Sequence, residues 1–177
     1  MEQKRPHIIV LGVGNLLLSD EGLGIRAVEA LQQRYRFPDH VSIIDGGVLG
    51  IHLLGTITKA DHLIVVDAIK NGGPPGTLYK LTGNDIPRRI FAKNSLHEID
   101  LLEALTLCQA LDKVPQTVIL GLEPQDIISV SLELTPAVKK KMDSLLEMVL
   151  EELKALGVNP IEKNTEEQLN YVSCNPC

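Results

Sequence analysis

The stretch IIVLGVGNLLLSDEGLG, residues 8–24, combines a strand, a tight turn and the start of a helix. Its first half is a continuous apolar run that ends in glycines, which is typical of a buried strand entering a turn. Apolar residues then recur at three- and four-residue spacing as far as residue 36, which predicts a helix with Ser19 or Asp20 as its cap. The stretch therefore predicts the first strand–helix unit of an α/β protein.

The rest of the chain continues this alternation of strands and helices. The loop KNGGPPG cannot form regular structure, because it contains two prolines among three glycines. Strands that alternate with helices predict an α/β fold: a doubly wound, mostly parallel sheet with helices on both faces. We expect strands at 41–47, 61–69, 117–124 and 127–130, an edge strand at 77–81, and helices at 49–57, 95–111 and 135–157.

The composition fits one domain of this class. A chain of 177 residues is long enough for one domain with a substantial core. Hydrophobic residues make up 44% of the chain but aromatic residues only 3%, so the core must be aliphatic, as in a parallel sheet buried on both faces. Helical periodicity is lost near the end of the chain. We therefore expect a single α/β domain over 1–162 and a polar, disordered tail over 163–177.

Charge and cysteine content exclude several classes of function. The chain has 17 basic and 23 acidic residues without a basic stripe, so nucleic acid and anionic membrane are poor partners. No apolar run approaches the roughly 18 residues of a membrane span, and the first strand begins too early for a signal peptide. Three cysteines, two of them in the tail, do not make a disulfide framework. We expect a cytoplasmic protein without membrane insertion.

The turn after the first strand does not suit a nucleotide. A dinucleotide-binding turn needs a third glycine where this chain has Leu17, and a Walker loop needs Gly-Lys-Ser/Thr where it has Ser-Asp-Glu. Carboxylates there would repel a pyrophosphate, although Asp45 lies where a ribose-binding acid could be. We interpret Asp20 as ordinary charge at a helix N-terminus. A nucleotide-binding protein is the less favoured alternative, which saturable binding of NAD or ATP would support.

Three polar side chains are expected at the carboxyl edge of the predicted sheet, where open α/β sheets bind ligands. Glu21 follows the first strand, Asp67 ends the third, and His97 opens the helix after the glycine-proline loop. Asp67 is the most informative, because a charge that ends the apolar run LIVV needs a partner or a metal. Two carboxylates and one imidazole suit Zn, Ni or Fe(II) with coordination positions left open.

Five stretches of the chain form a specific combination of motifs: VLGVGNLLLSDEGLGIRAVE (10–29), IIDGGVLGIHLL (43–54), DHLIVVDAI (61–69), PPGTLYKL (74–81) and KNSLHEIDLLEAL (93–105). The first contains the pattern G-x-G-N-x-L-x-x-D-E-G-x-G, which is followed by D-G-G and a later histidine. In the same order and at similar spacing, these stretches resemble the [NiFe]-hydrogenase maturation proteases, and the resemblance covers about residues 8 to 158.

The resemblance implies roles for individual residues. The metal-binding residues of the family fall on Glu21, Asp67 and His97, which have the expected residue types. The residues Asp45-Gly46-Gly47 match a family motif, and the resemblance implies that this glycine-rich loop helps to receive the substrate.

The resemblance also implies an activity. Such a protease removes the C-terminal extension of a [NiFe]-hydrogenase large-subunit precursor after nickel insertion, with nickel in the precursor as the recognition signal. We therefore expect nickel supplied by the substrate, and expect that another divalent metal can occupy the site in vitro. A non-catalytic nickel-binding module or large-subunit chaperone is the alternative class, and a precursor bound without being shortened would favour it.

Ordinary protease mechanisms do not fit the sequence. It has neither an H-E-x-x-H helix nor a G-x-S-x-G elbow, and Cys108 lies on the apolar side of its predicted helix. Aspartyl-type or metal-linked hydrolysis remains, with Glu21, Asp67 and His97 as the best candidates acting through the metal. That metal either activates the bond directly or is substrate nickel that docks there. The C-x-x-C pair Cys174 and Cys177 is half of a closed metal site, and we expect it to lie in a disordered terminus.

Overall fold

The computed structural model describes residues 5–47, 54–83, 85–86, 106, 108, 112–165 and 167–168. Its central sheet contains β1 (Ile8–Val13), β3 (Val41–Gly47), β4 (His62–Ala68), β5 (Leu78–Thr82) and β6 (Gln116–Leu122). The strand order is β3-β1-β4-β6-β5, and all strands are parallel except β5, which pairs antiparallel with β6 at the edge. The predicted mostly parallel sheet is confirmed.

Helices cover both faces of this sheet. A 3-10 turn (Ser19–Gly22) leads into α1 (Leu23–Arg34), and a short α2 (Leu54–Ile57) precedes β4. The C-terminal half adds α3 (Pro136–Lys139) and α4 (Met142–Ala155). A small antiparallel pair joins β2 (Tyr35–Arg36) to β7 (Ile161–Glu162). No helix in the described part of the chain is long and apolar enough to cross a membrane.

Alternate residues of the central strands build two aliphatic cores. On one face Val10 and Val66 pack with α1 and α4, and on the other Leu11 and Val65 pack with Ile57 of α2. Cys108 is fully buried in the second core, and this burial raises the pKa of its thiol. The prediction that Cys108 is a core residue is confirmed.

Two local predictions are wrong, and a third is correct only in part. Residues 127–129 form bends instead of a strand, because the Asp126 carboxylate accepts the N–H groups of Ile128 and Ser129, both at 2.9 Å. The predicted helix begins as expected, with Thr135 as its N-cap residue and Pro136 in its first turn, but it is interrupted at residues 140–141, between α3 and α4. Neither Ser19 nor Asp20 caps α1, which begins after Gly22 without a side-chain cap.

Two predictions involve residues that lie largely outside the described ones. Of the helix predicted at 95–111, the structure describes Thr106 and Cys108, both helical, whereas His97 lies outside the described residues. At the end of the chain, contacts continue past the predicted domain boundary at residue 162. The Lys163 N–H donates to the Arg34 carbonyl at 2.8 Å. Residues 169–177 lie outside the described residues, so the predicted disordered tail stays a prediction for them.

Candidate functional site

The start of α1 lies directly against the ends of β1 and β4. A Cβ atom on Gly24 would lie 2.1 Å from the Val66 carbonyl oxygen and 2.3 Å from that of Val13, so only glycine allows this approach. Glu21 lies three residues before Gly24, and Asp67 directly follows Val66. The close contact therefore brings the segments that carry Glu21 and Asp67 to the same carboxyl edge of the sheet.

The turn that carries Glu21 is folded tightly back on itself. Gly14 has a φ of +138°, and a Cβ atom there would lie 1.8 Å from the Glu21 carbonyl oxygen. That carbonyl accepts the Asn15 N–H at 3.2 Å, and the Glu21 N–H donates to the Leu18 carbonyl at 3.1 Å. The backbone of Glu21 is thus held at both its polar groups, while the residue as a whole stays partly exposed.

Asp67 lies near the end of the central strand β4. It is buried, with 9% of its surface exposed, and its Oδ1 accepts the Ala68 N–H at 2.7 Å. On the β6 side it is in register with Gly121, where a Cβ atom would lie 2.1 Å from the Asp67 carbonyl oxygen. A carboxylate in such surroundings is stable only with hydrogen-bond donors or a cation nearby, so Asp67 is a residue that could hold a metal.

The Asp45-Gly46-Gly47 segment ends β3 beside the glutamate turn. The Gly14 N–H donates to the Gly47 carbonyl at 3.0 Å, which joins the two loops. The exposed Asp45 carboxylate accepts the Gly47 N–H at 2.8 Å and so shapes the bend of this segment. Among the described residues, which do not include His97, no three histidine, cysteine or acidic side chains form a metal-binding group.

Asp20, interpreted from the sequence as simple helix charge, is instead a buried anchor. Its side chain is completely inaccessible to solvent, and its carboxylate accepts four hydrogen bonds from the loop that follows β6. The donors are the N–H groups of Gln125 (2.8 Å), Asp126 (3.0 Å) and Thr135 (2.7 Å) and the Thr135 hydroxyl (2.9 Å). Asp20 therefore fixes the β6 loop against the turn that carries Glu21. No local pattern in the sequence signals this long-range role.

Glu123 is a second anchor that the sequence analysis missed. It is buried directly after β6, and its carboxylate accepts the N–H groups of Asn71 (2.7 Å), Gly72 (3.0 Å) and Gly73 (3.2 Å) and the Tyr79 hydroxyl (2.9 Å). Burial acts to raise the pKa of Glu123, but these four hydrogen bonds outweigh it and hold the pKa below its ordinary value. The signal used for Asp67, an acid that ends an apolar strand, would also have found Glu123.

Comparison with known proteins identifies the family. The sequence model HycI, described as hydrogenase maturation protease, matches residues 25–152. The chain is 40% identical to the hydrogenase 2 maturation protease of Escherichia coli K12 over 159 residues, which covers 89% of this chain and 96% of that protein. This chain belongs to the hydrogenase maturation protease family.

The similarity extends to other relatives and to solved structures. The HupD hydrogenase expression/formation protein of Thiocapsa roseopersicina is 41% identical over 155 residues, 86% of this chain and 70% of that protein. The structure of the E. coli hydrogenase maturating endopeptidase HybD superposes with a TM-score of 0.85 at 40% identity, covering 89% of this chain and 98% of that one. The maturation protease described here is therefore an endopeptidase, a hydrolase of peptide bonds, with the α/β fold of that structure.

Proposed function

We propose that this protease removes the C-terminal extension of a [NiFe]-hydrogenase large-subunit precursor after nickel has been inserted. The observation that carries the proposal is the position of Glu21 and Asp67 at one edge of the sheet, through the contact of Gly24 with Val66. The E. coli relative is a hydrogenase 2 maturation protease, which supports the class of substrate. We place the reaction in the cytoplasm, where cysteines stay reduced.

In this proposal Glu21, Asp67 and His97 bind nickel that the precursor brings with it. Carboxylate oxygen and imidazole nitrogen are suitable nickel ligands, and two carboxylates supply negative charge to a divalent ion. Three protein ligands leave coordination positions open, whereas a tight structural site is closed by four ligands, often including cysteine. The open positions would allow the nickel to be shared between the protease and the precursor.

Nickel shared in this way would position the precursor. Docking fixes the chain relative to the carboxyl edge of the sheet, so the bond beside the metal is held for hydrolysis. The metal supplies Lewis-acid chemistry when it is bound. The bend at Asp45, Gly46 and Gly47 borders the glutamate turn and would receive the backbone of the substrate next to the metal. Another divalent ion could take the same ligands in vitro.

The test compares two aspartates at opposite ends of β4. Asp67→Asn removes the charge at the carboxyl edge. Asp61→Asn changes an exposed residue just before the strand, where the Asp61 Oδ2 accepts the backbone N–H of His7 at 2.7 Å. An asparagine oxygen can keep that bond, so Asp61→Asn should cleave normally. Mass spectrometry of nickel-loaded precursor should find the extension retained with Asp67→Asn and lost with Asp61→Asn. Normal cleavage by a folded Asp67→Asn protein would reject the assignment of Asp67.

A further inference from the structure

We infer that four exposed aliphatic side chains beside the candidate site form a docking surface for an uncharged aliphatic segment of the precursor. This apolar ledge consists of Leu17, Ile128, Val130 and Leu132, whose exposed fractions are 59%, 82%, 85% and 61%. Single exposed aliphatic residues are ordinary, but a group of them marks an interaction site. The inference rests on the proposed function for the identity of the substrate.

The ledge is continuous with the turn that carries Glu21. Leu17 belongs to the loop after β1, and the other three residues belong to the loop after β6, so both loops leave the sheet at its carboxyl edge. The two loops pair directly: the Ser131 N–H donates to the Leu17 carbonyl at 3.0 Å, and the Ser19 N–H donates to the Ser131 carbonyl at 2.8 Å. A peptide that passes Glu21 and Asp67 therefore has this surface beside it.

The exposure of the ledge does not come from a loosely held loop. The buried Asp20 carboxylate holds both ends of the β6 loop, through the Gln125 and Thr135 N–H groups. The Ser19 hydroxyl donates to the Glu133 carbonyl at 3.0 Å, and the Arg26 guanidinium donates to the Leu132 carbonyl at 3.2 Å. A surface that is already ordered loses little conformational entropy when a partner binds.

The chemical character of the ledge matches an aliphatic partner. Ile128, Val130 and Leu132 are separated only by Ser129 and Ser131, so the segment presents aliphatic and small uncharged side chains. The segment from 127 to 132 carries no charge, so a charged partner would lose solvation there without gaining an ion pair. An endopeptidase must hold its substrate chain on one side of the bond, and the ledge provides such a surface.

The experiment removes the apolar surface without disturbing the fold. The double variant Ile128→Ser/Val130→Ser changes two highly exposed side chains, and the matched control Val114→Ser/Ile161→Ser changes side chains that are 54% and 67% exposed on other parts of the surface. With the nickel-loaded precursor, the ledge variant should raise KM about tenfold with kcat nearly unchanged. The control should keep the wild-type KM, and both variants should keep the wild-type melting temperature.

The outcomes separate this inference from the proposed function. A wild-type KM for the ledge variant overturns the inference, even if Asp67→Asn is inactive as proposed. A raised KM for the ledge variant supports the inference, even if Asp67→Asn remains active and the metal proposal fails. Sedimentation of the wild-type protein measures its oligomeric state and so tests whether a second copy of the chain, and not the precursor, covers the ledge. Self-association that the ledge variant abolishes, with cleavage unchanged, would overturn the inference.

Discussion

The carboxyl edge of the sheet carries two pairs of acidic residues in different surroundings. Asp20 and Glu123 are buried, and each accepts four hydrogen bonds from neighbouring loops. Glu21 is partly exposed in its turn, and Asp67, although also buried, lies near the end of the central strand β4. The first pair stabilises the loops around the site, whereas the proposed function assigns the second pair to metal binding. Asp20 and Glu21 are adjacent in sequence, so substitutions there compare the two roles directly.

The largest effect on stability is expected from Asp20→Asn. An asparagine nitrogen in place of either carboxylate oxygen would face a backbone N–H group, which leaves a buried donor without an acceptor. We expect the free energy of unfolding to fall by about 3 kcal/mol and the melting temperature by about 10 °C. Urea and thermal denaturation measure both. Thr135→Val removes only one donor to Asp20, the hydroxyl, and should therefore lower the free energy of unfolding clearly less than Asp20→Asn does. Equal stabilities of Asp20→Asn and the wild type would contradict the anchoring role.

Glu21→Gln should lower activity and leave stability unchanged, the opposite of what is expected for Asp20→Asn. The glutamine keeps the size of the side chain and leaves the backbone bonds of the turn intact, so the melting temperature should hardly change. Loss of the negative charge should lower kcat/KM for nickel-loaded precursor about 100-fold, or about 2.7 kcal/mol of transition-state stabilisation. A destabilised Glu21→Gln protein that retains full activity per folded molecule would show that Glu21, like Asp20, is structural.

Glu123→Gln should lower the free energy of unfolding by about 2 kcal/mol at neutral pH, because three N–H groups and one hydroxyl lose a charged acceptor. The pKa of Glu123 is lowered in the folded state, so its ionised form stabilises the fold. That contribution is complete above the ordinary glutamate pKa of about 4.3 and is lost as the pH falls through the lowered pKa. Denaturation curves from pH 7 downward should therefore find the stability difference between wild type and variant shrinking in acid. A difference that grows in acid would contradict this assignment.

Truncation after Lys163 should have the smallest effect. The truncated chain keeps the Lys163 hydrogen bonds to Arg34 and Gln32 but loses the ion pair between Arg36 and Glu167. A surface ion pair contributes at most about 1 kcal/mol. Thermal denaturation and the precursor assay should both give nearly wild-type values. A large loss of cleavage without a loss of stability would mean that the removed segment, with its two cysteines, takes part in the reaction.

The sequence was most informative where local patterns and sheet geometry determine the structure. Apolar runs located β1, β3, β4 and β6, and the rule that ligands gather at the carboxyl edge selected Glu21 and Asp67. The role of Asp20 was missed because its four donors lie more than 100 residues away, on a loop whose return path no local pattern encodes.

The β6 loop was misread for a different reason. Apolar residues alternate from Ile128 to Leu132, and such a pattern normally indicates a half-buried strand. Here these side chains are exposed beside the candidate site, and the Asp126 carboxylate holds the backbone in a bend. A pattern that fails to form a core thus became the basis of the proposed docking surface.

The most direct test of the central claim asks which molecule supplies the metal. The protease is stripped with a chelator and incubated with nickel-loaded and with nickel-free precursor, and mass spectrometry follows the extension. We predict that the stripped protease cleaves the nickel-loaded precursor as fast as the untreated one, with a nearly unchanged melting temperature, and that nickel-loaded protease leaves the nickel-free precursor intact. If stripping abolishes cleavage of nickel-loaded precursor and only re-metallation of the protease restores it, the protease carries its own catalytic ion and the docking account is wrong.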